Sequence, residues 1–175
     1  MMKNFDQMMK NCCSMVFDET GFEIVRIEET KNVCPMCENF AKEQIEKKTP
    51  IAVLSCDGAC LRGEIARQAA NLIAFELAPD TTARICLGGA FTKNTGQRNL
   101  VRSSPKVLAL EGCPIECGSR MMKGVIDNLK PEIVIVDRLC DFDKNLFSIN
   151  DLPEEKIKEL AQIAAVKIKE KYIKA

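Results

Sequence analysis

The chemistry open to this chain starts from its cysteines, because it has ten of them and no histidine among 175 residues. The absence of histidine excludes His-containing zinc sites, Ser-His and Cys-His nucleophile pairs, and histidine pH switches. Besides the adjacent Cys12 and Cys13, three pairs of cysteines are closely spaced: Cys34-Pro-Met-Cys37, Cys56-Asp-Gly-Ala-Cys60 and Cys113-Pro-Ile-Glu-Cys117. Thiolates bind soft metal ions and exchange disulfides. The residue types therefore favour metal or redox chemistry carried by sulfur.

The composition and the N-terminal sequence indicate the kind of protein, its partners and its cellular location. A chain that is 46% hydrophobic can build a core of its own. Its 25 basic residues balance 25 acidic ones, and with one Tyr and no Trp it is not expected to bind nucleic acid. Asp6 and Lys10 interrupt the apolar stretch that a signal peptide needs, and no segment has the length of a membrane span. We therefore expect a cytoplasmic, reducing location, where cysteines serve metal or redox roles rather than structural disulfides.

From residue 51 onward, short apolar runs alternate with helical segments. The runs predict strands over 51–55, 83–87, 106–110 and 132–136. Helices are predicted over 61–77, 97–102 and 118–129, and from a cap at Asp151 to about residue 172, with a turn at Gly88-Gly89. The run 132–136 is apolar except for Glu132, which is typical of a strand buried on both faces. This alternation predicts an α/β fold: an open, mainly parallel sheet with helices on both faces, a Rossmann-like three-layer arrangement.

Residues 1–50 have a different pattern. A possible edge strand over 22–27 is followed by the Cys34-Pro-Met-Cys37 pair and a charged helix that ends near Lys48. We interpret residues 1–50 as an N-terminal extension that carries the C-P-x-C pair. Residues 51–175 then form a cysteine-rich α/β metal-binding domain.

The cysteines of that domain fall where the predicted strands end. The carboxyl ends of parallel strands share one edge of the sheet, where ligands bind in open α/β folds. Six thiols are expected near this edge: Cys56, Cys60, Cys86, Cys113, Cys117 and Cys140. Four thiolates around a zinc ion carry a net negative charge, which nearby helix N-termini would stabilise. Cysteine is also a common core residue, so Cys86 and Cys140 could instead fill core space.

Four carboxylates also lie near this edge: Asp57, Glu111, Glu116 and Asp141. Carboxylates beside such turns are more often helix caps or solvated groups than acid-base catalysts. The sequence therefore leaves open whether a metal here is structural or catalytic, and whether the protein is an enzyme.

Three segments together resemble the DGC-domain family. They are Cys56-x-Gly-x6-Ile65-Ala66, Ile85-Cys86-Leu87-Gly88-Gly89 and Glu111-Gly112-Cys113-Pro114-x-x-Cys117, and the resemblance covers about residues 51 to 145. Four cysteines are proposed to chelate zinc in that family, and they match Cys56, Cys86, Cys113 and Cys117. The resemblance thus implies a zinc site at these residues. The chain departs from the family where Glu111 replaces the Asp of Asp-Gly-Cys and where Cys60 adds a thiol.

Three functions stay open on sequence alone. The first is a metal-binding protein that holds zinc at the carboxyl edge of the sheet, with Cys60 and Cys140 as ligands of second rank. The second is a thiol redox or sulfur-transfer protein that uses Cys34, Cys37 and the edge cysteines. The third is an iron-sulfur protein, because six thiols exceed the four that zinc needs. Cys34 and Cys37 could also join Cys12 and Cys13 in a separate metal site, or form a surface dithiol without a role. The metal ion is the one partner that the sequence indicates; neither a membrane nor nucleic acid is expected.

Overall fold

Short apolar runs and intervening helices alternate along the chain as the sequence predicts. The computed structural model describes residue 21 and residues 26–173. The strands are β1 Ile51–Ser55, β2 Thr82–Arg84, β3 Val107–Glu111 and β4 Glu132–Ile135. The helices are α1 Pro35–Lys48, α2 Leu61–Leu72, α3 Leu87–Phe91, α4 Gly96–Ser103, α5 Cys117–Val125 and α6 Glu154–Tyr172. A π-helical segment, Ile73–Leu77, continues α2, and none of the described helices is long and apolar enough to cross a membrane.

The four strands form one sheet in the order β2-β1-β3-β4, and all neighbouring strands are parallel. β1 is central: Val53 is in register with Arg84 of β2, and Ser55 with Leu110 of β3. The chain leaves β1 toward β2 on one side and later places β3 on the other side. The carboxyl ends of β1 and β3 therefore mark the topological switch point, where α/β folds commonly bind ligands.

Helices cover both faces of the sheet, so the predicted three-layer α/β fold is confirmed. Adjacent residues of β1 point to opposite faces, as the pleat of a strand requires. Val53 faces the core formed with α2 and α6, which contains Ile65 and Leu160. Leu54 faces the second core, which contains residues of α1, α4 and α5: Ala41, Leu100 and Met122.

Helix α1 packs directly on the second core. Ala41 is fully buried there, and Phe40 and Ile45 pack around it. The Glu38 carboxylate accepts a hydrogen bond of 2.7 Å from the Gly96 N–H at the first residue of α4. The predicted helix ending at Lys48 is thus confirmed, and it belongs to the same layer as α4. Most of the predicted strand 22–27, together with Cys12 and Cys13, lies outside the described residues, and residues 26 and 27 are not in a strand.

The prediction that the strand at 132–136 is buried on both faces is wrong. β4 is an edge strand in which Glu132 is exposed, Ile133 and Ile135 are half-buried, and Val134 alone is buried. Its apolar composition led to the prediction, but burial is set by its position at the end of the sheet. The strand also stops at Ile135, because Val136 begins a 3-10 helix.

The predicted start of the last helix is also wrong. Pro153 immediately precedes α6, whereas Asp151 closes a separate 3-10 turn over Ile149–Asp151. In this turn the Asp151 carboxylate accepts hydrogen bonds from the backbone N–H groups of Phe147 and Ser148, at 2.9 and 2.8 Å. Both bonds are accepted by Oδ2, so the carboxylate is directed at the turn before the helix, and the fixed backbone angle of Pro153 suits the helix entrance.

A third difference is that Gly88 and Gly89 do not form a turn. They lie inside the short helix α3, and β2 ends at Arg84 instead of residue 87. The Cys86 sulfur accepts a hydrogen bond of 3.4 Å from the Gly89 N–H and so caps this helix. A cysteine is an uncommon capping residue, which is why the sequence pattern did not reveal it.

Candidate metal centre at the carboxyl edge of the sheet

Three neighbouring strands carry cysteines immediately after their carboxyl ends. Cys56 follows the last residue of β1, Cys86 lies two residues beyond β2, and Cys113 lies two residues beyond β3. Cys117 is the first residue of α5. Because β2, β1 and β3 are adjacent and parallel, these cysteines lie on loops at the same edge of the sheet.

The environment of Cys56 is set by the first turn of α2. Its backbone N–H donates to the Leu110 carbonyl at 2.9 Å, which extends the pairing of β1 with β3. Its sulfur sits against Gly63, where an added Cβ would approach it to 3.1 Å. Burial raises the pKa of the Cys56 thiol, although interactions with the N–H groups of Gly58 and Gly112 oppose this. Cys56 is therefore a half-buried thiol that needs a further positive charge, such as a metal ion, to ionise at neutral pH.

The turn after β3 packs on the same helical turn. A Cβ on Gly112 would lie 2.6 Å from the backbone nitrogen of Gly63 and 2.7 Å from the carbonyl carbon of Arg62. Only glycine can make this approach. The contact brings Cys113 toward Cys60, the residue that immediately precedes α2.

The thiols at this edge affect one another's ionisation. Burial is the main cause that raises the pKa of Cys113, and the charges of Cys60 and Cys117 raise it further. The Ile115 N–H and the Arg62 guanidinium lower it. Cys60 likewise raises the pKa of Cys56. Two C-x3-C pairs, Cys56 with Cys60 and Cys113 with Cys117, thus lie on loops near the switch point.

Glu111 fixes the start of α5 from beneath this site. Its side chain is 1% exposed. One carboxylate oxygen accepts from the backbone N–H and the hydroxyl of Ser119, both at 2.6 Å, and the other accepts from the Gly118 N–H at 3.3 Å. The carboxylate therefore satisfies N–H groups at a helix N-terminus, where negative charge is favourable. The expectation that a carboxylate here is a helix cap is confirmed for Glu111.

Cys86 lies on the far side of Cys56, beside the N-terminal pair. It is exposed, and its backbone N–H donates to Gln97 Oε1 at 3.0 Å. The charge of Cys86 contributes to the raised pKa of Cys37, although the hydrogen bond and charge of Cys34 are the larger causes. The packing of α1 on α4 brings the C-P-x-C pair to this position.

The two thiols of the C-P-x-C pair differ in acidity. The pKa of Cys34 is lowered, first by the Cys37 N–H, then by the Cys37 thiol and the Met36 N–H, whereas that of Cys37 is raised. Both are exposed on the surface at the start of α1. Cys34 is therefore the more readily ionised thiol of the pair.

Cys140 has a separate location. It is 7% exposed in the core beside α6, and its thiol donates to the Leu160 carbonyl at 3.3 Å. Burial raises its pKa. These contacts match the alternative in which Cys140 fills core space.

In residues 26–173 and at Gly21, no three Cys, Asp or Glu side chains are close enough to hold a metal ion. Sulfur donors in this number suit zinc and other soft metals. The loops bring the thiols to one edge without gathering their sulfurs. Coordination would therefore require side-chain rotation or small shifts of the loops.

One residue of the site was missed by sequence reasoning. Arg84 is the last residue of β2, and its guanidinium donates to Ser55 Oγ at 2.6 Å and to Asn71 Oδ1 at 2.9 Å. Burial lowers its pKa to about 10. The signal in the sequence was a single arginine inside the apolar run that precedes Cys86.

The doubly wound sheet and its cysteine-bearing edge define a cysteine-rich α/β domain. Residues 52–166 match the sequence profile of the DGC domain, so the chain belongs to the DGC-domain family. The match covers β2, β3 and β4, all of β1 except Ile51, and most of α6. No curated protein and no solved structure matches the chain.

Proposed function

We propose that this protein binds a zinc ion through cysteine thiolates at the carboxyl edge of its sheet. The proposed ligands are Cys56, Cys86, Cys113 and Cys117. The observation that carries the proposal is the strand order, because β2, β1 and β3 are neighbours and each is followed by one of these cysteines. Membership of the DGC-domain family and the cysteine content of the chain are compatible with metal binding.

The charges around this edge support the proposal. A zinc ion with four thiolates carries a net charge of about minus two and needs positive surroundings. The first turns of α2, α3 and α5 begin at or directly after Cys60, Cys86 and Cys117, and their N–H groups supply partial positive charge. The Arg62 charge also acts on Cys113, and Arg62 forms a 3.4 Å salt bridge with Asp137.

The proposal is tested by metal analysis of single variants. We expect about one zinc per chain in protein prepared under reducing conditions, and a loss of both zinc and thermal stability in Cys113→Ser and Cys117→Ser, since binding is coupled to folding. Cys140→Ser is the matched control, because it removes a thiol from the core instead of the edge. Unchanged zinc content in both Cys113→Ser and Cys117→Ser would rule out the proposed site.

The fourth ligand is decided by a second pair of variants. Cys86 is the family-matched residue, yet Cys60 is the thiol whose charge acts on both Cys56 and Cys113. Cys86→Ser should lower the zinc content if the ligand set is that of the family. A loss in Cys60→Ser with full zinc in Cys86→Ser would replace Cys86 by Cys60 in the site.

A thiol-exchange function is the second candidate, and the acidity of Cys34 favours it. A Cys34 thiolate would attack a disulfide of a partner and release one thiolate of that partner. Cys37 would then displace the second partner thiolate and close an internal disulfide, with the two electrons passing to the partner. Incubation with oxidised glutathione followed by mass spectrometry tests this. A Cys34–Cys37 disulfide, with a mixed glutathione disulfide trapped at Cys34 in Cys37→Ser, would support it, whereas unreacted thiols would exclude it.

A further inference from the structure

A cleft opens between the carboxyl ends of β1 and β2. Its volume is about 470 Å³, within the range of small-molecule sites. Its lining includes the charged groups of Arg84, Arg67 and Asp57, the thiols of Cys56 and Cys86, and the ring of Phe75. Gly88 and Gln97 also line it. A larger cavity, of about 570 Å³, lies beside Val107 and Glu132 at the start of β3 and β4, away from every edge cysteine.

Arg84 supplies the uncompensated charge of this cleft. Besides its bonds to Ser55 and Asn71, its guanidinium donates to the carbonyls of Ile85 and Val53, at 2.6 and 3.3 Å. These bonds hold the side chain rigidly and use four of the five N–H groups of a guanidinium. No Asp or Glu of the described part of the chain forms a salt bridge with it. A positive charge and one N–H donor therefore remain for a ligand.

The second arginine of the cleft is already paired. Arg67 donates to both oxygens of Glu64, at 2.7 and 2.6 Å. Asp57, at the mouth of the cleft, is exposed and its charge also acts on Arg67. Arg67 and Glu64 cancel each other, and the exposed Asp57 lies toward solvent. Arg84 is therefore the inner cation of the cleft that has no carboxylate partner among the described residues, and a single cation favours a monoanion over a phosphate dianion.

The apolar part of the lining indicates the kind of molecule to which the anionic group belongs. Phe75 is 60% exposed, on the π-helical segment that continues α2. An aromatic ring of this exposure beside a cleft is available for stacking or apolar contact, and π-helical segments often occur at functional sites. A bare inorganic ion would leave most of the volume empty.

We propose that this cleft binds a small organic carboxylate whose apolar, ring-sized group lies on Phe75 while its carboxylate faces Arg84. A fixed guanidinium such as that of the half-buried Arg84 can recognise a carboxylate by a charge-assisted hydrogen bond from its remaining N–H. The site adjoins Cys56 and Cys86, so a bound ligand would lie next to the thiols, but its binding does not require a metal ion.

Benzoate is the probe, with neutral benzamide as its isosteric control. Both are titrated into the full-length, reduced protein in the presence of a chelator, so that a carboxylate cannot bind through a metal, and amide resonances are followed by NMR. We expect saturable shifts at residues of the cleft, such as Gly88 and Gln97, and binding of benzamide at least about tenfold weaker. Equal binding of the two probes, or shifts elsewhere, would overturn the proposal.

Two pairs of variants test the residues. Arg84→Gln should weaken benzoate binding about tenfold or more, whereas Arg102→Gln, which removes the same charge from an exposed position on α4, should not. Phe75→Ala tests the cleft without touching the buried network, and Phe147→Ala is its control, because Phe147 is 68% exposed outside the cleft. Wild-type affinity in Phe75→Ala, or in a folded Arg84→Gln, would refute the assignment, and a failure of zinc binding alone would leave it intact.

Discussion

Replacing Glu111 by glutamine should measurably destabilise the protein, because its carboxylate holds the start of α5. Glutamine keeps the volume and one acceptor oxygen, which can still bind both donors of Ser119. Its amide group would then face the Gly118 N–H, so that two donors meet. A lost hydrogen bond to a charged acceptor costs about 1.5–3 kcal/mol, and the loss of charge at a helix N-terminus costs about 0.3–1 kcal/mol. We expect Glu111→Gln to lower the free energy of unfolding by about 2–3 kcal/mol.

Equilibrium unfolding in urea, in reducing buffer with a chelator, measures this change apart from any metal. Glu43→Gln is the matched control, because Glu43 is exposed on α1 and its salt bridge in the described part of the chain is with Lys47. Its cost should be about 0.5 kcal/mol or less. A Glu111→Gln protein as stable as the control variant would refute the reasoning.

Three further expectations concern packing and reactivity. Gly112→Ala should lower the free energy of unfolding in urea by about 2 kcal/mol or more, because the added Cβ has no space. Gly124→Ala should be neutral or stabilising, because no atom lies within 4 Å of its added Cβ, and equal effects of the two substitutions would contradict this. In timed alkylation with iodoacetamide near neutral pH, Cys34 should react first and Cys140 last among the eight described cysteines, because the pKa of the exposed Cys34 is lowered while burial raises that of Cys140. The reverse order would be inconsistent with the structure. Deletion of residues 1–48 should lower the melting temperature by several degrees, since it uncovers the core under α1; an unchanged melting temperature would show that α1 adds no stability.

Local pattern was sufficient to predict the main elements of the fold. The strand at Ile51–Ser55 was predicted with its observed bounds, because a short apolar run lies between a proline and a cysteine turn. Neither the order of the strands nor the edge position of β4 can be derived from such runs. Both depend on which strand pairs with which over long distances in the chain, and a strand has the same composition at an edge or in the centre.

The candidate site, like the fold, could be predicted only in part. The position of each cysteine relative to a strand end placed Cys56, Cys86 and Cys113 at one edge from the sequence alone. The proximity of Cys86 to Cys37 could not be predicted, because it depends on α1 packing on α4 through the hydrogen bond from Gly96 to Glu38, 58 residues away. The burial of Cys140 also follows from tertiary packing, since α6 covers it.

The edge position of β4 also affects how one molecule of the protein associates with another. Three of its four residues are β-branched and apolar, and no described strand pairs with its outer side, so it is a template for strand pairing between molecules. The strand is protected by its length and by Glu132, which forms a 2.6 Å salt bridge with Lys106. Val136 then begins a 3-10 helix, so the strand ends after four residues. The one charge and the early turn thus act as gatekeepers against aggregation, and a Glu132→Val chain should aggregate more readily than wild type when it is refolded from urea.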